Sequence, residues 1–285
     1  MKKLQIGIIH PGEMGVSVAA SAKNGGHEVY WVSENRSEQT RDRASQVKLT
    51  ELPSLKALCE KSAIIISVCP PDSAEEVADE VLNCSFRGTY LDANAISTER
   101  VERIAGKMAD AGATFVDGGI IGGPAWMPGT TWLYLSGSHA NEVADCFSSG
   151  PLETKVIGDK IGKASALKMC FAANTKGTAA LMCSILATAE ALEVREDLLA
   201  HWSMNGSKFS ELSEQRIRNV TGKAWRFAGE MEEIAATFEK SGIPGGFFRA
   251  ASEIYSRISE YKNAPTPAIK EVLATLLSNK KSAKN

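Results

Sequence analysis

The sequence predicts a doubly wound α/β domain followed by an all-helical domain, and three observations carry that expectation. Short apolar or β-branched runs alternate with helix-length stretches in the first half. A glycine-containing turn stands directly after the first run. Beyond Gly158 the strand-like runs stop and long helical patterns take over.

Taken in order, the runs are LQIGII (4–9), EVYWV (28–32), AIIISVC (63–69), TYLD (89–92), TFVD (114–117) and TWLYL (131–135). Most are separated by stretches that read as helices, at 13–24, 54–61, 72–83 and 98–111, and that alternation predicts a parallel sheet with crossover helices. Helical patterns then cover 162–193, 195–204, 208–220, 224–241 and 246–261, with a last helix after Pro267. Gly150-Pro151 and the segment from Gly158 to Gly162 supply turn chemistry at the junction, so the expected domains are 1–158 and 159–285. The closing NKKSAKN reads as a frayed basic tail.

Composition narrows the function classes. A chain of 285 residues, 44% hydrophobic and 23% charged, has the balance of a soluble globular protein of two domains. Its 32 basic and 34 acidic residues leave a net charge of −2, which favours a small-molecule partner over nucleic acid or a membrane. The six cysteines form no Cys-x-x-Cys pair and have no histidine at ligand spacing, which argues against a metal site or a disulfide framework and for reduced thiols in a cytoplasm. Met-Lys-Lys at the start is followed by a stretch of only six residues, Leu4 to Ile9, before the glycine turn, so export is not expected. The longest uncharged stretch, 177–189, falls short of the ~20 residues of a membrane span and reads as a buried helix, in part against a second copy of the chain in a homodimer.

GIIHPGEMG (7–15) lies where a Rossmann-type dinucleotide-binding domain sets its phosphate turn, made here of His10, Pro11, Gly12, Glu13, Met14 and Gly15. Gly12 lets backbone approach a pyrophosphate, Gly15 lets helix pack closely on strand, and the helix N-terminus attracts negative charge. His10 replaces the first glycine of the usual fingerprint, and Pro11 pushes it toward extended geometry, so proline enforces the turn. A phosphate hydrogen bond or backbone shaping is the expected role of His10. After the second run, Arg36 is suited to fork onto a 2′-phosphate with a hydroxyl from Ser33 or Ser37, which predicts NADP(H) in preference to NAD(H), with Glu34 arguing the other way. Arg41 and Arg43 read as a solvated helix face.

In KASALKMCFAANTK (163–176), Lys168 is the only charge between Lys163 and Lys176, with Ala164, Ser165, Phe171 and Ala172 three and four residues away. A lysine on such a face needs a polar cavity or suffers desolvation, and either draws it toward proton transfer. The plainer reading is a side chain reaching the surface.

The order GIIHPGEMG, VCPPD (68–72), LDANAIS (91–97), FVDGGIIGGPA (115–125) and IGKASALK (161–168) resembles the β-hydroxyacid dehydrogenase superfamily. That group includes 6-phosphogluconate and 3-hydroxyisobutyrate dehydrogenases and the imine reductases, and the resemblance spans nearly the whole chain. AWRFAGEMEEIA (224–235) and GIPGGFFRAASEIY (242–255) are similar to its branch with a phosphogluconate-dehydrogenase-like C-terminal domain of unknown function. The resemblance implies hydride transfer at a nicotinamide held between two domains, with Lys168 giving or taking the hydroxyl proton. It implies that Cys69 and Pro71 border the cofactor, that Asn94 lies near the nicotinamide, and that Asp117 to Gly123 bind substrate, with Gly122 and Gly123 as the glycine pair.

Departures from that pattern matter equally. Ile121 stands where a serine usually holds the substrate carboxylate, Phe171 and Ala172 where an asparagine follows the lysine, and Thr175 where the phosphogluconate enzyme has a second acid. A bulkier or less polar substrate than a hydroxy acid is expected. Arg226 and Arg249 are further candidates for a substrate carboxylate, or else partners of Glu230 and Glu253 four residues on. Three readings follow: an NADP-dependent alcohol–carbonyl oxidoreductase, an imine reductase, and a catalytically silent NADP-binding redox sensor.

Overall fold

The computed structural model describes residues 3–262 and 264–278, so the basic tail lies outside the described residues. The chain runs β1 (Gln5–Ile8), α1 (Glu13–Asn24), β2 (Glu28–Val32), α2 (Glu38–Gln46), β3 (Thr50–Leu52), α3 (Leu55–Lys61) and β4 (Ile64–Ser67). It continues through α4 (Ala74–Asn83), β5 (Thr89–Asp92), α5 (Thr98–Asp110), β6 (Thr114–Gly122), β7 (Thr131–Ser136), α6 (Ala140–Asp145) and β8 (Glu153–Val156).

These strands form one sheet in the order β3-β2-β1-β4-β5-β6-β7-β8. β1 to β6 are parallel, as the alternation predicts, with Gly7 opposite both Tyr30 and Ile65. β7 is antiparallel to β6, because a connection this short makes a hairpin, whereas a parallel pair needs a crossover. Both faces are covered. In β4, Ile64 and Ile66 enter one core with Val18, Ala22 and Val143, while Ile65 enters the other with Leu58, Val81 and Ile104. Two-sided burial is why these strands read as continuous apolar runs.

The remaining elements are helical: α7 (Lys163–Ala172), α8 (Thr178–Ala191), α9 (Arg195–Trp202), α10 (Phe209–Thr221), α11 (Ala224–Lys240), α12 (Gly246–Arg257) and α13 (Ile269–Leu277). Two compact units divide after Met169, inside α7 and not at the Gly158 turn, so Lys168 belongs with the sheet. In the second unit α8 is central and packs against α10, α12 and α13. Ala180, Met182, Cys183 and Leu186 are buried there, which accounts for much of the uncharged stretch within one chain. The continuous helix expected over 162–193 is interrupted by a π turn at Ala173–Gly177, where the Tyr255 hydroxyl donates to the Lys176 carbonyl (2.7 Å).

Candidate active site

Strand order reverses between β1 and β4, and in open α/β sheets such a switch point places ligands beyond the strands' carboxyl ends. The turn after β1 occupies that point. Pro11 and Gly15 are buried, Glu13 is exposed, and α1 starts at Glu13 with no side-chain cap from Gly12 on its first-turn amides. A Cβ on Gly15 would sit 2.1 Å from the His10 carbonyl oxygen, so only glycine lets α1 begin this close to the turn. A Cβ on Gly12 would meet nothing within 4 Å, so the space beside the turn is open. The Met14 carbonyl accepts from Ser17 Oγ (2.8 Å), and that hydroxyl accepts from the Ala125 amide (2.9 Å), tying the helix start to the segment after β6.

Beside the turn is a cavity of about 360 Å³, lined by His10, Glu34, Asn35, Arg36, Glu76 and Glu80 among others. Asn35 takes a left-handed φ of 57°, which asparagine tolerates, and the Arg36 amide donates to the Ser33 carbonyl (3.1 Å). His10 Nδ1 and Arg36 Nε are buried without a hydrogen-bond partner among the described residues. Burial, and then the Arg36 guanidinium, push the His10 imidazole down to about 4, so it is neutral at pH 7. Orphaned donors beside an uncapped helix start fit a dinucleotide. Two expected contacts are otherwise engaged: Ser33 Oγ donates to Glu51, and Ser37 Oγ caps α2 by accepting from the Thr40 amide (3.3 Å).

Asn94 is buried and commits its side chain inward. Its Oδ1 accepts from the Cys69 amide (2.6 Å), and its Nδ2 donates to Ser67 Oγ and Asp92 Oδ2 (both 3.1 Å). Asn94 thus clasps the carboxyl ends of β4 and β5 and sets the loop of Cys69 and Pro71, where Pro71 is buried and opens a 3-10 turn. Burial pushes Asp92 up to about 7, against the Asn94 hydrogen bonds. Burial and then Asp92 hold the Cys69 thiol near 12, so it is no thiolate at neutral pH.

Asp117 is likewise engaged within the protein. It is fully buried and accepts from Ser136 Oγ (2.8 Å), Ser165 Oγ (2.6 Å) and the amides of Ala164 (2.9 Å) and Ser165 (3.2 Å). Burial raises its pKa while these donors lower it. With its oxygens engaged by β7 and by the first turn of α7, it holds that helix in place. Lys168 lies one turn further on, half-buried. A Cβ on Gly119 would come within 2.6 Å of the Ala164 carbonyl and 3.1 Å of Lys168 Cβ, so β6 meets α7 directly behind the lysine. Gly119, Ser136 and Ser165 are the members sequence reasoning missed, although the doubled glycine pair of DGGIIGG marks the first.

The other candidates fall as follows. Ile121 is half-buried opposite Trp132. Gly122 has a φ of 126°, which the hairpin after it requires, and the Gly123 carbonyl accepts from Thr131 Oγ1 (2.7 Å). In the second unit Thr175 Oγ1 donates back to the Phe171 carbonyl (3.2 Å). Arg249 is corrected: it forks onto Glu239 and not onto Glu253, which pairs with Arg257. Glu230 pairs with Lys176 and not with Arg226, whose buried Nε has no hydrogen-bond partner among the described residues and whose guanidinium lies 5.7 Å from the Phe227 ring centre.

Fold and site together define a nicotinamide-dinucleotide-binding protein of the dehydrogenase and reductase class. Residues 5–147 match the family described as the NAD binding domain of 6-phosphogluconate dehydrogenase, and the chain belongs to that family. Residues 189–258 match a domain of unknown function, DUF1932. An uncharacterised 28.5 kDa protein of Methanothermus fervidus is 32% identical over 216 residues, 75% of this chain and 82% of that one. A solved conserved protein of unknown function, described as similar to 3-hydroxyacid dehydrogenases, is 26% identical with a TM-score of 0.66, over 96% of this chain and 99% of its own. Two other likenesses are of fold: 3-hydroxyisobutyrate dehydrogenase of Mycobacterium tuberculosis (14%, TM-score 0.71, 97% and 100% covered) and the reductive aminase of Aspergillus terreus in complex with NADPH (18%, 0.55, 96% and 99%). No helix among the described residues is long and apolar enough to cross a membrane.

Proposed function

We propose that the protein is an NADP-dependent oxidoreductase that interconverts an alcohol and a carbonyl on a small or medium metabolite, with Lys168 as general acid and base. The anchoring of Lys168 carries this reading. Asp117 grips the first turn of its helix, and Gly119 lets the sheet lie against the lysine's own turn, a degree of fixing that a side chain reaching for solvent does not need. The nicotinamide supplies the hydride when bound. Lys168 then donates a proton to the carbonyl oxygen in reduction and takes the hydroxyl proton in oxidation. His10 to Gly15 hold the pyrophosphate on the amino end of α1, while Arg36, with its unpartnered Nε, supports NADP(H) over NAD(H).

An apolar or bulky substrate suits Ile121, Phe171 and Ala172, which offer no hydrogen bond to a carboxylate. The same residues favour a second reading, reduction of a C=N bond, and the fold likeness to a reductive aminase supports it. A net charge of −2 supports a small-molecule partner, and we read the protein as a cytoplasmic homodimer. The test is NADPH consumption over a panel of ketones, aldehydes, keto acids and cyclic imines, with wild type and Lys168→Ala. Turnover on carbonyls that falls at least about 100-fold in the variant, with NADPH binding retained, supports the proposal. Turnover confined to imines, or unchanged in Lys168→Ala, selects the second reading.

A further inference from the structure

The cavity beside the phosphate turn has a charge balance that a simple 2′-phosphate site does not explain. Arg36 is its one fixed cation among the described lining residues, and three carboxylates share the wall: Glu34 after β2, and Glu76 and Glu80 on α4. The elements facing His10 from the remaining side contribute Leu55 and Leu58 of α3, which carry no charge. Burial is the largest influence on Arg36 and lowers its pKa, and Glu80 is the strongest charge opposing that shift. A phosphate dianion entering this cavity meets one guanidinium already biased toward a carboxylate.

One group there can change its charge in the required direction. His10 stands in the turn where the dinucleotide fingerprint has a glycine, and its Nδ1 is buried with no hydrogen-bond partner among the described residues, as is the Nε of Arg36 in the same cavity. Both side chains line the cavity that an anion would enter, with their orphaned nitrogens buried in its wall.

Resting on the NADP reading above, we propose that His10 and Arg36 form a proton-coupled receptor for the 2′-phosphate of NADP(H), in which His10 binds a proton from solvent as the phosphate enters. The step balances simply: the neutral imidazole gains one proton from the medium, no bond to the nucleotide forms, and the imidazolium N–H donates to a phosphate oxygen. What keeps His10 neutral in the free protein is burial and the Arg36 charge, pushing it down to about 4. A phosphate dianion lying between the two side chains reverses the second influence and supplies a partner that offsets the first. NAD(H), which has a hydroxyl at the same carbon, brings no such charge. The replacement of glycine by histidine in the fingerprint thereby becomes a determinant of cofactor choice.

The sign of the pH dependence follows. His10 holds its proton more tightly in the NADP complex than in the free protein, so NADP affinity rises as pH falls between the bound-state value and about 4. The change approaches about tenfold per pH unit where His10 is the group titrating. A phosphate monoester itself ionises near pH 6, and binding beside a cation makes it release protons, the opposite direction.

Calorimetric titration of the full chain with NADP⁺ and NAD⁺ at pH 6, in buffers of differing ionisation enthalpy, counts the protons exchanged. Wild type is expected to take up about half a proton or more beyond His10→Gln with NADP⁺, and to show no such difference with NAD⁺. Because His10→Gln alters the turn, the His10 ring is also followed by NMR in the unaltered protein, where a higher titration midpoint with NADP⁺ than with NAD⁺ is expected. Equal proton counts with an unmoved His10 midpoint overturn the inference while leaving the NADP reading standing. Failure of NADP⁺ to bind removes both.

Discussion

Asp92 ends β5 and Asp117 lies opposite it within β6, and neither faces solvent. Their partners separate their roles. Asp117 receives four donors, whereas Asp92 receives two, both from Asn94, and burial pushes it up to about 7. A carboxyl whose folded pKa exceeds its unfolded value favours the native state fully below about pH 4. That contribution is lost as pH rises toward 7. In denaturant unfolding the stability of wild type relative to Asp92→Asn should therefore fall through this window, by roughly 4 kcal/mol at most. The slopes from His10 and Asp117 are common to both proteins and cancel in that difference; a pH-independent difference contradicts the assignment. At this scale the close approach at Gly15 was legible, because it is defined by its own spacing after β1. Asn94, Asp117 and Arg249 were not, since their roles depend on partners 20 or more residues away or on another helix.

The first turn of α7 is the element on which the proposed chemistry depends. Its amides would normally take a capping side chain from the preceding residue, and here the cap comes from β6 through Asp117. Asp117→Ala should cost about 0.5–2 kcal/mol for the lost cap and about 1–3 kcal/mol for the stranded donors of Ser136 and Ser165. The same variant should lower kcat more than it raises KM for any substrate found, because the lysine loses its fixed position while the nucleotide turn is untouched. Equal loss in a variant of an exposed α7 residue, such as Leu167→Ala, would remove the special status of that anchor. Element by element, most strands and helices were readable because both faces of the sheet are covered. The alternation did not resolve β3 and β8, which are three and four residues long with mixed burial, and it took β7 into a parallel sheet. The π turn at Ala173–Gly177 coincides with the weak helix formers Asn174, Thr175 and Gly177, which the helical pattern over 162–193 read through.

For the whole molecule, the expected division was at the Gly158 turn, while the compact units part after Met169. Turn residues mark where a chain can bend, and Asp117 decides where α7 is held. The uncharged 177–189 stretch gave the first reason to expect two copies, and α8's position among α10, α12 and α13 now satisfies much of it; Leu181 stays 40% exposed. A homodimer predicts a sedimentation mass near twice that of the chain at micromolar concentration, and a mass near one chain contradicts it. The central claim is the NADP site at the switch point of the sheet, and it is tested most directly by calorimetric titration of wild type and Arg36→Ala with NADPH and NADH. The account predicts that wild type binds NADPH more tightly than NADH and that Arg36→Ala loses the preference while still binding dinucleotide. Binding of neither nucleotide by the wild type would contradict it.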